Sequence, residues 1–237
     1  MQSNNSTQCL VGTSPFPFAC HDALPCFTQC CKDVNIYLTP YDVLRLRQTL
    51  GVGSSEFLSR YTRSFLAKTT NIPVVQLAMD PGTLFCPFVA RDGCRVYENR
   101  PWACRMFPLD LSTTDQQFRL IAGKDRCKGL FEPSKGTVGD WLEAQGVFQY
   151  AEMDRAYQSV VPARFKPGGP MNEGLGRLLY IAYDLDRFAE LIKDGRFSKF
   201  HDVDEKMLSA AGQDSEELLK LAFRYIRAQM DELYQIL

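Results

Sequence analysis

Histidine is scarce in this chain, basic charge has no excess, and no long apolar run occurs. Each shortage removes a class of function. Two histidines, His21 and His201, are too few to build a Ser/His/Asp catalytic set. The 27 basic residues are balanced by 28 acidic ones, interspersed along predicted helices, so the basic stripe of a nucleic-acid binder is missing. No stretch reaches the roughly 18–20 apolar residues of a membrane span. Met1 to Gln8 shows no basic-then-apolar leader pattern, which sets the expectation of a cytoplasmic protein with reduced thiols. No glycine-rich strand-to-helix turn of the nucleotide-cradling kind is found either.

Cysteine is present, and unevenly so. Of nine cysteines in 237 residues, none falls after Cys127. Cys20, Cys26, Cys30 and Cys31 form one group; Cys86, Cys94 and Cys104, with Cys127 downstream, form a second. Cys9 lies apart on a polar segment and reads as a free thiol. A chain of this length buries about 70–75% of its unfolded surface and needs no covalent staples. An odd count at low density in a reducing compartment argues against a disulfide framework.

The segments around these groups give a coarse architecture. Residues 1–14 read as a loose tail. Thr39-Pro40-Tyr41-Asp42 is a helix start, with Thr39 as cap and Pro40 in the first turn. The pattern predicts a helix to about Leu50, closed by Gly51 or Gly53, and a second from Ser54 or Ser55 through Leu66. Val74 to Ala78, Thr83 to Phe85 and Phe118 to Ala122 read as strands. Thr137-x-x-Asp140 opens a helix toward Gln158. Pro162, Pro167, Gly168, Gly169 and Pro170 mark a break. One helix is then expected from Asn172 to Lys193, buried along Leu178, Ile181, Leu185, Phe188 and Ile192. A last one runs from Asp214 to the end, with Leu218, Ala222, Tyr225 and Leu233 inward. The expected fold is mainly α with a small irregular β element: a cysteine-rich metal-binding core over 15–130, and C-terminal helices over 131–237 packed on it as one structural unit.

Clustered thiolates are soft ligands that select zinc, copper(I) or iron–sulfur clusters. Zinc favours short Cys-x(2–4)-Cys knuckles, which Cys26-x(3)-Cys30 fits and the wider intervals do not. Three features favour iron–sulfur. Neighbouring side chains diverge on a regular backbone, so Cys30 and Cys31 should not reach one small ion. Phe16, Phe18, Phe27, Phe85, Phe88, Trp102, Met106 and Phe107 neighbour the cysteines, and an apolar shell tunes a cluster. Cys86-Pro87 is the third. The candidate ligands are Cys20, Cys26, Cys30, Cys31, Cys86, Cys94, Cys104 and Cys127. Arg100 and Arg105 flank Cys104, where they either offset thiolate charge, grip an anion, or brace a loop. His21 is a ligand, a proton relay or a solvated loop residue. A thiolate-held metal serves equally as a structural staple or a working centre, and both readings stay open.

Phe18-x-Cys20, Cys26-x(3)-Cys30-Cys31 and Leu38-Thr39-Pro40-Tyr41-Asp42, followed by Cys86-Pro87-Phe88, Cys94-x-Val96-Tyr97 and Arg100-Pro101-x-x-Cys104-Arg105-x-Phe107-Pro108, resemble the two motif blocks of the YkgJ-type cysteine-cluster family over about residues 16–130. The family opening is usually Cys-x(2)-Cys-x(2)-Cys-Cys; here both gaps are longer. The resemblance implies a bacterial-type zinc- or iron-chelating domain, with a 4Fe–4S cluster favoured and zinc the alternative. A related branch, the flagellin lysine N-methylases, implies a transferase acting on a protein substrate with S-adenosylmethionine. An oxidoreductase, or a zinc-stapled module that recruits a protein partner, are the other functions considered.

Overall fold

Thr39 opens the first helix as its side chain predicts. Its hydroxyl accepts the Asp42 N–H at 3.2 Å, and Asp42 Oδ2 accepts the Thr39 N–H at 2.8 Å. The reciprocal cap satisfies two otherwise orphaned donors and starts α1 (Pro40–Leu50), which Gly51 closes. The computed structural model describes residues 9–112, 116–161 and 173–236. Helix α2 (Ser54–Tyr61) ends earlier than its apolar spacing suggests. Phe65 and Leu66 belong instead to β1 (Thr62–Leu66), which pairs antiparallel with β2 (Pro73–Leu77) from Thr62↔Leu77 to Leu66↔Pro73. Extended backbone at Thr62 and cross-strand pairing with Val74 and Val75 outweigh the helical spacing of Tyr61 and Phe65.

The described residues fall into two compact units that interleave along the chain. The first comprises those of Met1–Ile36 and Met79–Gln149, the second those of Tyr37–Ala78 and Tyr150–Leu237. The division differs from the 15–130 and 131–237 boundaries read from sequence: residues 37–78 group with the C-terminal helices, and residues 131–149 with the cysteines.

In the first unit the β element consists of two small antiparallel hairpins, β3 (Val89–Ala90) with β4 (Gly93–Cys94) and β5 (Leu109–Leu111) with β6 (Phe118–Leu120). Thr83 to Phe85 is not a strand. Asp80 Oδ1 gathers the N–H groups of Gly82 and Thr83 at 3.1 and 2.7 Å, and this Asx turn occupies the backbone; only Phe85 bridges to Lys32. Helices α3 (Trp102–Met106) and α4 (Val138–Ala144) complete the unit, the latter capped by the Thr137–Asp140 box. The expected continuation to Gln158 is interrupted, because Gly146 turns the chain at φ 64° before α5 (Val147–Gln158) begins. Leu10, Phe16, Phe18, Met106, Leu109, Phe118, Val138 and Leu142 form the core. Residues 9–14 are therefore not a loose tail: Leu10 exchanges two 2.8 Å backbone hydrogen bonds with Phe118. The rest of that predicted tail, residues 1–8, lies outside the described residues, as does the expected break at Pro162, Pro167, Gly168, Gly169 and Pro170.

In the second unit the single helix expected up to Lys193 is two, α6 (Glu173–Tyr180) and α7 (Leu185–Ile192). Asp184 sits in the gap, 5% exposed, and accepts hydrogen bonds from Ser54 Oγ at 3.1 Å and Ser55 Oγ at 2.6 Å. The break shifts the phase of the buried face, so Leu175 and Leu179 are buried while Leu178 and Ile181 are half-exposed. Two helices were not anticipated, α8 (Phe197–Phe200) and α9 (Glu205–Gln213). The last, α10 (Ser215–Ile236), begins where Asp214 Oδ1 takes the N–H groups of Glu216 and Glu217. Helices α1, α7 and α9 pack on it. Val43, Leu46, Phe57, Phe188, Leu219, Ala222, Ile226 and Met230 are all fully buried. Among the described residues no helix is long and apolar enough to cross a membrane. The architecture is mainly α with small two-stranded sheets.

Candidate metal centre

Aromatic packing delivers the first cysteine group. Phe16 and Phe18 stack with ring centroids 5.4 Å apart, and Phe18 meets Trp141 edge-on at 4.8 Å. From this anchor residues 20–31 run as successive turns rather than a periodic element. Leu24 N–H reaches the His21 carbonyl, Phe27 the Leu24 carbonyl, Gln29 the Cys26 carbonyl and Cys31 the Thr28 carbonyl. Thr28 is left-handed at φ 63°, and the short 3-10 turn Gln29–Cys31 then yields to an extended Lys32. Here the expected divergence of adjacent side chains fails. Cys30 Sγ and Cys31 Sγ stand 4.0 Å apart. A zinc ion with about 2.3 Å bonds to sulfur at tetrahedral angles holds two thiolates about 3.8 Å apart, so this pair can share one ion. Adjacency of Cys30 and Cys31 therefore does not keep both sulfurs from one small ion.

The second group is built onto the first through backbone. Cys86 N–H donates to the Cys31 carbonyl at 2.8 Å, beside the Lys32↔Phe85 bridge. The β3–β4 hairpin sets Cys94 opposite Val89, whose N–H returns to the Cys86 carbonyl at 3.1 Å. Cys104 rides on α3. The guanidinium of the next residue, Arg105, donates to the backbone carbonyls of Arg100 at 3.0 Å, Gln145 at 2.6 Å and Glu98, which fixes α3 to the loop after Cys94. Cys127 is buried. The segment after it closes on the first group: Lys128 N–H donates to Cys26 Sγ at 3.2 Å, and Ala19 N–H to the Gly129 carbonyl at 3.2 Å. A side chain at Gly129 would place its Cβ 2.3 Å from the Ala19 carbonyl oxygen, so this approach requires glycine.

None of the nine cysteines is in a disulfide, and eight lie in an electrostatic network. Burial first, then the neighbouring Cys30, Cys127 and Cys26, push the Cys20 thiol up to about 11. A shared hydrogen bond splits the adjacent pair: Cys30 falls to about 7, while Cys31 is driven far up by that bond, by burial and by Cys30, Cys104 and Cys86. Burial also raises Cys86, Cys94 and Cys127. In each case backbone N–H groups aimed at the sulfur oppose it: Phe88 and Val89 at Cys86, Val96 at Cys94, Gly129 and Leu130 at Cys127. Such donors favour the anionic sulfur that a metal needs. Among the described residues no three Cys, His, Asp or Glu side chains already surround a single point. The donor set nonetheless suits a soft metal: eight thiols outside any disulfide, a backbone N–H on Cys26 Sγ, and Cys127 buried with Phe18 and Met106.

The remaining candidates divide. Arg105 is buried and spends its guanidinium on loop carbonyls, which is the bracing role. Arg100 does both. It lies over the Tyr97 ring at 3.8 Å and donates to Gln145 Oε1, while its charge lowers the Cys94 thiol against burial. His21 faces Glu132, with Nε2 3.4 Å from Oε2. His201 lies in the second unit, half-buried against Phe197 and Tyr225 at 4.8 and 4.9 Å. Cys9 is exposed. Sequence reasoning missed Gln145, Gly129 and the backbone donors. A glycine two residues after Cys127 was the available signal for the last two.

No curated protein and no solved structure matches the chain. A family model described as "Putative zinc- or iron-chelating domain", CxxCxxCC, matches residues 19–128. That stretch contains all eight clustered cysteines and, apart from Phe18, both motif blocks. Residues 19–128, slightly under half of the chain, match this cysteine-cluster family model, and its description as zinc- or iron-chelating supports metal binding by the cysteines.

Proposed function

We propose that the cysteine domain holds an iron–sulfur centre, 4Fe–4S in type, with a redox or catalytic role. The observation that carries this reading is the Lys128 N–H donated to Cys26 Sγ at 3.2 Å, with Cys127 buried in the same core cluster as Phe18 and Met106. Hydrogen bonds to sulfur, net charge and solvent exposure are the levers by which a protein sets a cluster's potential. Cys20, Cys26, Cys30, Cys31, Cys86, Cys94, Cys104 and Cys127 would supply the ligands. When bound, such a cluster supplies one-electron transfer or an electrophilic iron. The chain's own part is to hold the thiolates and to offset the charge of Cys94 with Arg100.

Zinc is the second reading, since a set of four thiolates satisfies it as well as it does a cluster. Iron, acid-labile sulfide and zinc counts on anaerobically purified protein, with its visible absorbance, decide between them. A brown protein with iron and sulfide in equal amounts supports the cluster. A colourless protein with stoichiometric zinc overturns it in favour of zinc, and absence of both metals overturns both.

A further inference from the structure

We infer that the eight thiols form two separate four-thiolate centres, one of Cys20, Cys26, Cys30 and Cys127 and the other of Cys31, Cys86, Cys94 and Cys104, divided between the adjacent Cys30 and Cys31. The inference rests on the reading that this domain binds metal through its cysteines.

Backbone geometry carries the division. Cys127 and Cys26 are joined by Lys128, whose N–H reaches Cys26 Sγ at 3.2 Å. Cys20 is brought to the same place by its neighbour Ala19, whose N–H reaches the Gly129 carbonyl at 3.2 Å in a contact too close for any residue but glycine. These bonds tie residues 19–26 to residues 127–129. An independent set ties the rest. Cys86 N–H reaches the Cys31 carbonyl at 2.8 Å, Val89 links Cys86 to Cys94 across the β3–β4 hairpin, and Arg105 fastens the helix bearing Cys104 to the carbonyls of Glu98 and Arg100 just beyond Cys94.

With Cys31 tied through backbone to Cys86, Cys30 is the thiol left to complete the first set; its Sγ lies 4.0 Å from Cys31 Sγ, so the two centres are neighbours. Four thiolates apiece satisfy either zinc or a 4Fe–4S cluster, so the division does not depend on the metal's identity. It also explains the doubled cysteine: one turn of chain supplies a ligand to each side.

The test uses the full chain, with zinc(II) as probe. The metal-free, reduced protein is titrated, the species carrying one ion is isolated by native mass spectrometry, and the thiols shielded from iodoacetamide in that species are mapped. Two ions at saturation are expected. In the one-ion species the shielded thiols should be Cys20, Cys26, Cys30 and Cys127 together, or Cys31, Cys86, Cys94 and Cys104 together. Substitutions give a second readout. Cys127→Ser and Cys94→Ser should each lose one of two ions, the pair Cys20→Ser/Cys127→Ser still only one, and the pair Cys127→Ser/Cys94→Ser both. Saturation at one ion, shielding that mixes the two sets, or loss of all metal in every single variant overturns the division and leaves metal binding standing. A wild-type chain that binds no ion overturns the underlying reading of the domain instead.

Discussion

Cys86 N–H donates to the Cys31 carbonyl oxygen at 2.8 Å, joining two cysteine blocks separated by more than fifty residues of chain. The residues between, Tyr37–Ala78, group with the other unit, so this contact and the adjacent Lys32↔Phe85 bridge hold the site's two edges together.

Cys30→Ser and Cys104→Ser should lower bound metal and the melting temperature of the cysteine unit, because a hydroxyl is a poor ligand for a soft metal. Cys9→Ser, at an exposed thiol outside both groups, should change neither. Metal analysis and calorimetry on the three variants check this. Full metal content in Cys30→Ser would remove that thiol from the ligand set.

Gly129→Ala should destabilise the cysteine unit by about 1–3 kcal/mol, the usual cost of overpacking. The added methyl would stand 2.3 Å from the Ala19 carbonyl oxygen and 2.8 Å from the Phe18 ring. Forcing these strands of chain apart should also stretch the Lys128–Cys26 contact and lower metal retention against a chelator. A variant with wild-type melting and retention would show that the approach is not needed.

Arg105→Lys should cost about 2 kcal/mol despite keeping the charge. The planar fork satisfies three carbonyls, and a single ammonium cannot reach them all, leaving buried acceptors unpaired. Denaturant unfolding checks it. An unchanged midpoint would mean the carbonyls find other donors.

Asp184→Ala should destabilise the helical unit by about 1–3 kcal/mol with metal content unchanged, since Ser54 and Ser55 lose a buried acceptor. Asp184→Asn should be milder, because its amide oxygen can still accept. Melting curves paired with metal counts separate this effect from damage to the cysteines.

Features set by local chemistry were legible in the sequence. Both capping boxes, at Thr39 and Thr137, form as their spacing predicts, and the clustered thiols share one unit. What escaped depends on partners distant in sequence. The break before α7 exists because Asp184 binds hydroxyls about 130 residues away, and no window around Tyr180 contains that information. Phe65 looked helical until its pairing with Val74 is known. The approach of Cys30 to Cys31 was misjudged for another reason. The divergence argument assumes regular backbone, whereas a left-handed Thr28 and a single 3-10 turn set these two side chains.

The most direct test is an X-ray absorption spectrum at the metal edge of the anaerobically purified wild-type chain. The account predicts a first coordination shell made of sulfur alone, four atoms per metal for zinc at about 2.3 Å. A shell dominated by oxygen or nitrogen would place the metal on other side chains and contradict it.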